Sequence, residues 1–410
     1  MRRATTSFLL LICALLVAPM PSASAQSALW PSSDGMLAFR SDRDGDAELF
    51  TLEPTGANPA PLTQNEGIDD SQPAWSPDGR RIAFVRTMPQ SGRSDLWTAT
   101  SEGRARVRIT STPFPERDPS WSPDGTKIVY AARTRGSGPY RIFVAKADGT
   151  ARAQLTTQPS GSADRSPVWS PDGTQIAFMS NRGGGFSEIY VMNADGTGEH
   201  ALTANSVVDA NPSWSPDGTR IAVERCCPKG TSEIFTIDVV SGLETNLTNS
   251  TSFMDFDPSW SPAGTTIAFV SFQVDEGNID IWSIHADGTF LTRLTTDPAP
   301  DLSPDWQPLP ICTIEGTGVS DPALQGTDAN DVICALGGDD VVSAGLGHDL
   351  VFGGRGNDTI EGQSGIDVIH GDQGDDLLNG GPDYDLLDGG TGVDTCVRGA
   401  QGAFTRGCEL

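Results

Sequence analysis

Positive charge is scarce in this chain of 410 residues: 27 lysines and arginines stand against 54 aspartates and glutamates, a formal net charge of −27. Such a balance excludes a nucleic-acid partner unless one basic patch stands apart, and no basic run does. Aromatic residues make up only 7% of the chain, so its core must be assembled from many short elements. Long hydrophobic runs are missing as well. The run from Phe8 to Ala18 is too short to anchor a protein across a bilayer, and no later stretch is long enough, so no transmembrane anchor is expected. The four histidines are scattered and no Cys-x-x-Cys pair exists, which removes the common zinc patterns. Neither Gly-x-Ser-x-Gly nor His-Glu-x-x-His occurs; Gly362-Gln363-Ser364-Gly365 approaches the first but lacks its final glycine. A non-enzymatic protein is therefore expected. What the chain has in quantity is 46 glycines and 29 prolines, which rules out a long-helix or coiled-coil architecture.

The first residues indicate a compartment. Arg2 and Arg3, the apolar run and then Ala23-Ser24-Ala25 read as a signal peptide over residues 1–25, cleaved before Gln26. Export to a secreted or extracellular location is expected, with the periplasm as the alternative. Cleavage leaves six cysteines, an even number in an oxidising environment, which favours disulfides.

An internal repeat decides the fold of the larger part. Trp-Ser-Pro-Asp-Gly begins at Trp75, Trp121, Trp169 and Trp214; Trp260 carries a copy with Ala263 in place of Asp, and Trp306 a truncated one. Strand-like runs such as Arg81–Val85 and Glu188–Met192 follow, and each unit closes on a Leu-Thr pair (Ile-Thr at Thr110), at Thr63, Thr110, Thr156, Thr203, Thr248 and Thr295. Four short strands per unit is the pattern of a propeller blade. Six blades are expected over residues 26–308, with the strand near Trp306 completing the blade begun at Gly35–Thr63. These residues resemble the TolB-like propeller family, from roughly Ser33 to Gln307. That resemblance implies a binding platform for a protein or cell-envelope partner. An acid precedes each repeat tryptophan by five positions: Asp70, Glu116, Asp164, Asp209, Asp255 and Asp301. Two readings of them stay open, a carboxylate ring at the channel mouth or caps that bond backbone amides of their own turns.

After a linker at 309–325 the composition changes. Residues 312–410 hold 18 acids and 3 bases, a net charge of −15. Aspartates fall every nine residues, at Asp331, Asp340, Asp349, Asp358, Asp367, Asp376, Asp385 and Asp394. The register is Gly-Gly-x-Gly-x-Asp-x-apolar-x, cleanest at Gly353–Glu361. It resembles the RTX repeat, which implies a calcium-loaded parallel β-roll over 326–397 with a C-terminal cap at 398–410. Glycines permit tight left-handed turns, and carboxylates with carbonyls are the hard oxygen ligands that Ca²⁺ takes. Two nonapeptides per coil stack aspartates 18 apart along one edge, which gives about six calcium sites. Cys312 and Cys334 bracket the first copy, Cys396 and Cys408 the last; both pairs are expected as disulfides that staple the ends. Cys226-Cys227 is expected as a vicinal disulfide or a redox-reactive pair. The expected class is all-β: a six-bladed propeller followed by a parallel β-roll.

Overall fold

Each Trp-Ser-Pro-Asp-Gly segment is a chain reversal built from its own side chains. In the first copy the Ser76 hydroxyl accepts the Arg81 N–H at 2.9 Å, the Gly79 N–H donates to the Ser76 carbonyl at 2.8 Å, and Gly79 adopts φ +65°. The strand ending at Trp75 therefore folds straight back onto Arg81–Met88. In the computed structural model, the described residues are 34–408 except 89–91, 158–160, 227–230, 251–252, 274–276, 309–311, 391, 398 and 400–402. The expected signal peptide lies outside them.

Repetition of this reversal yields six four-stranded antiparallel sheets. Blade two, for example, is Asp69–Trp75, Arg81–Met88, Arg93–Thr100 and Val107–Arg108. Blade one is closed by the two ends of the propeller: Asp301–Pro308 pairs with Asp34–Ser41, placing Leu37 opposite Trp306. This closure gives blade one its innermost strand and joins the two ends of the ring. The repeat tryptophans are 4–8% exposed and each packs on the preceding blade, as Trp75 does against Ala38, Leu49 and Leu62. They are core between blades, as their spacing predicts.

Every innermost strand bulges three residues before its tryptophan. Gln72, Asp118, Ser166, Asn211, Asp257 and Ser303 sit at φ of 52°, 55°, 47°, 48°, 58° and 53°. The following residue is proline in all six, which has no N–H to give the ladder, so pairing breaks there and resumes one step on.

Beyond the propeller the chain winds into coils with two parallel sheets of six and five strands. Pairing runs at a constant step of 18: Ile333 to Val351, Ile369 and Leu387 on one sheet, Val342 to Ile360, Leu378 and Cys396 on the other. Those inward residues form most of the apolar core of the roll, with Ala335 and Ala344 beside them and Ile314, Leu324 and Ala403 packed against it. The sheets reach further than the repeat pattern predicts. Ile314–Glu315 and Leu324–Gln325 already pair within the expected linker, and Ala403–Arg406 adds a strand within the expected cap. Thr317 and Thr327 occupy turn positions that glycines hold in later copies, which hides the early coils from the glycine pattern.

Both expected end staples are formed: Cys312–Cys334 with Cα atoms 5.8 Å apart, and Cys396–Cys408 at 5.7 Å. By loop-closure reasoning each stabilises the ends by about 3 kcal/mol. Cys226 is an exposed free thiol at the end of its strand, so the expected vicinal disulfide is not formed at Cys226; Cys227 lies outside the described residues.

Candidate metal centre

A nine-residue period places one aspartate at the entry to each strand of the roll, where its carboxylate turns inward beside the glycine turn. The stacking is direct. The N–H of Asp331 donates to Oδ1 of Asp349 at 2.8 Å, and the same bond joins Asp340 to Asp358, Asp349 to Asp367, Asp358 to Asp376, Asp367 to Asp385 and Asp376 to Asp394. One oxygen of each acceptor is thereby used.

The other oxygen is not. Oδ2 of Asp340, Asp349, Asp358, Asp367, Asp376 and Asp385 is buried without a hydrogen-bond donor. An ionised oxygen in that state costs several kcal/mol unless a cation or proton meets it. Burial pushes Asp358 and Asp367 up to about 6 and Asp376 to about 7, with neighbouring aspartates adding to the rise. The glycine five residues earlier makes room for this oxygen: a Cβ at Gly353 would stand 2.5 Å from Oδ2 of Asp358, and one at Gly362 the same distance from Oδ2 of Asp367. Hard, anionic, unpartnered oxygens beside glycine turns are donors of the kind that suits Ca²⁺.

Asp331 departs from the rest. Thr327 donates its N–H and hydroxyl to Oδ2 of Asp331 at 2.7 and 2.8 Å, and its carboxyl is held below the usual range by those bonds despite some burial. The threonine that replaces a turn glycine has closed this site. Sequence spacing alone could not show that.

The six acids before the repeat tryptophans occupy a different setting from a channel mouth. All are buried at 0–2% exposure, and none lines the central cavity. Each is bound inside its own blade. Asp70 accepts Arg86 and Asn65, Asp164 accepts Arg182 and Ser180, Asp255 accepts Ser271, Asp301 accepts Arg43, and Glu116 accepts Thr112. Asp209 is gripped by Arg225 at 2.6 and 3.0 Å, and Arg225 also reaches Glu244. Burial raises Asp255 to about 6. The ring expectation is therefore corrected: these side chains are buried in the blades and not at the channel. Replacing Arg225 by Met leaves Asp209 buried with the Asn205 amide but no countercharge, an expected loss of about 3–5 kcal/mol. Asp209→Asn in the same chain recovers most of it. Thermal denaturation of the two variants checks this, and equal destabilisation of both would refute it.

Sequence reasoning also missed the residues that do face the channel. They are the bulge residues and their neighbours, around a cavity of about 530 Å³. A signal was present: five of the six bulge residues are Asn, Asp or Ser, types that tolerate or stabilise turn-like backbone. The threonine of each Leu-Thr pair also has a role not anticipated. Its hydroxyl accepts a backbone N–H from the blade's third strand, as Thr63 does from Leu49 and Thr203 from Ile189 at 2.9 Å.

Comparison with known proteins agrees with this geometry. The family model of the TolB beta propeller domain matches residues 20–137 and 71–309, and that of the RTX calcium-binding nonapeptide repeat matches 325–360 and 361–396. Neither is a catalytic family. The crystal structure of TolB from Acinetobacter baumannii is similar with a TM-score of 0.59 at 24% identity, covering 67% of each chain. Putative TolB from Agrobacterium tumefaciens follows at 0.51 and 20%, covering 67% of this chain and 91% of that one. Those two likenesses establish fold alone. Among curated proteins, the Tol-Pal system protein TolB of Desulfosudis oleivorans is 39% identical over 75 residues. TolB 1 of Novosphingobium aromaticivorans is 36% identical over 69. The matched segments span only 16% and 15% of those relatives and 18% and 17% of this chain. With its blades matched from end to end, the chain belongs to the TolB beta propeller domain family and carries RTX calcium-binding nonapeptide repeats behind the propeller.

Proposed function

We propose that this is an exported, non-enzymatic protein whose roll folds on Ca²⁺ and whose propeller serves as its recognition platform at or beyond the cell surface. The observation that carries the reading is the set of six buried, unpartnered Oδ2 atoms along the two edges of the roll. Four pairs 18 residues apart have such an oxygen at both ends: Asp340 with Asp358, Asp349 with Asp367, Asp358 with Asp376, and Asp367 with Asp385. Four central ions follow; Thr327 closes Asp331 and so removes one of the six pairs that spacing predicts, Asp331 with Asp349. Ca²⁺ there supplies the positive charge that neutralises these oxygens and joins successive coils.

Secretion accords with the N-terminal segment, the disulfides and the repeat family. A Tol-type role in the periplasm is favoured instead by the similarity to Tol-Pal proteins. Among the described residues no helix is long and apolar enough to cross a membrane. Equilibrium dialysis of the full chain against Ca²⁺ tests the ion sites. Asp358→Asn is expected to lower the number of ions bound, while Asp331→Asn leaves it unchanged. Equal losses from both variants, or no binding at millimolar Ca²⁺, refute the assignment. Loss of partner binding on chelation favours the secreted, calcium-dependent reading over the Tol-type one.

A further inference from the structure

The propeller channel is not six-fold in its chemistry. At the end where the innermost strands begin, the fourth residue before each tryptophan is, in blade order, Leu302, Ser71, Arg117, Arg165, Ala210 and Phe256. Two arginines on blades three and four thus face Phe256 and Leu302 on blades six and one, with small residues between. All four large side chains line the cavity.

Positive charge at this mouth is concentrated and incompletely balanced. The guanidinium carbons of Arg117, Arg133 and Arg165 lie 5.6, 4.9 and 5.0 Å from the ring centre of Tyr140. Stacking on an aromatic face holds a guanidinium flat and leaves its N–H edge free to bond. Only Arg117 has a carboxylate, Asp118 at 3.1 Å, and that group also accepts the Ser166 N–H. Arg133 bonds the Gly136 carbonyl at 3.0 Å. Nε of Arg165 is buried without a hydrogen-bond partner, and no ion pair is formed by Arg133 or Arg165 among the described residues. Deeper in the channel, Asp257 accepts the Ser303 hydroxyl and Asp305 accepts the Trp75 N–H, so both are occupied by the propeller itself. Burial keeps Asp305 up to about 7, so much of it is uncharged near neutrality.

We propose that this mouth binds a carboxylate bearing an apolar side group, its charge on the Arg165 fork and its side group against Phe256 and Leu302. A planar, unpaired guanidinium matches a carboxylate by two parallel hydrogen bonds, and the apolar wall across the cavity selects what the carboxylate carries. Two sources share that chemistry, a peptide C terminus ending in an apolar residue and a free N-acyl amino acid. The inference rests on the propeller being the recognition module.

Titration calorimetry of the calcium-loaded full chain tests it with acetyl-Gly-Gly-Phe as the free acid, the same peptide as its C-terminal amide, and N-acetylphenylalanine. The free acid is expected to bind at least about tenfold more tightly than the amide. Arg165→Met removes that preference, and Arg165→Lys, which keeps charge but loses the fork, retains part of it and guards against a misfolded Met variant. Similar affinities for the tripeptide acid and N-acetylphenylalanine identify small acids as the source; clearly tighter binding of the tripeptide identifies peptide termini. Equal binding of acid and amide, no binding of any probe at millimolar concentration, or unaltered preference in a folded Arg165→Met overturns the proposal. Failure of the ion-binding test instead strikes the calcium reading and leaves the carboxylate preference measurable on its own.

Discussion

Adding a chelator to the calcium-loaded full chain is expected to lower amide hydrogen-exchange protection sharply across residues 331–397 while the propeller keeps its own. The roll has one large buried apolar residue per nine, Ile333 through Leu387, with only the small Ala335 and Ala344 added to that buried set. Against that thin core stand six buried carboxylates with an unpartnered oxygen each. Removing the cation leaves like charges stacked 18 residues apart, each with one oxygen that no donor meets. A ligand at a hundred times its dissociation constant stabilises a fold by about 2.7 kcal/mol per site, so four sites together supply about 10 kcal/mol, a typical domain's whole stability. The propeller has a different source of cohesion: ring closure between Asp301–Pro308 and Asp34–Ser41, and a tryptophan sealed between each pair of blades. Loss of protection in both parts, or in neither, would contradict this division.

Acid is expected to act on the roll with opposite sign in its two states. In the unfolded chain these aspartates ionise near 3.8; in the folded, metal-free roll burial raises Asp358 and Asp367 to about 6 and Asp376 to about 7. A carboxyl whose pKa is raised by folding holds its proton more tightly in the folded chain. Its stabilising contribution is complete below about pH 4 and is lost as pH rises through 6 to 7. The metal-free roll therefore gains stability as pH falls from 7 to 4, by at least about tenfold in its folded-to-unfolded ratio after allowance for solvent screening. With Ca²⁺ present the same protons compete for the ligand oxygens, and acidification destabilises. Asp376→Asn mimics the protonated form: it is expected to stabilise the metal-free roll at pH 7 and weaken it in Ca²⁺. Circular dichroism melts at pH 4 and 7, with chelator and with Ca²⁺, read the crossover. Parallel pH dependence in both conditions would exclude the buried carboxylates as its cause.

The degree to which the chain is legible without coordinates differs between its two parts. In the roll, a period of nine with glycine turns admits one winding, because each inward residue must meet the one 18 positions away; Val342, Ile360 and Leu378 do so. The departures arise where residue type breaks the pattern but backbone geometry does not, as at Ile314 and Leu324, whose coils use Thr317 and Thr327. Thr327 also shows how a single hydroxyl changes a site: it satisfies the oxygen of Asp331 that the other aspartates leave open.

In the propeller, spacing and residue type determine blade number, closure and the buried tryptophans, since a strand–turn period of about 46 residues with Trp-Ser-Pro-Asp-Gly leaves few other ways to bury them. Which side chains face the channel is set only in three dimensions. A proline without an N–H forces a bulge two residues after the acid, and that one-residue offset turns Asp70 and its counterparts into the blades and brings Arg165, Phe256 and Asp257 to the cavity. The scarcity of positive charge has the same resolution. The acids of the roll are distributed by a strict period and could be counted in advance. The arginines at the channel mouth come from separate strands, Arg117, Arg133 and Arg165, and become a cluster only when adjacent blades pack them around Tyr140.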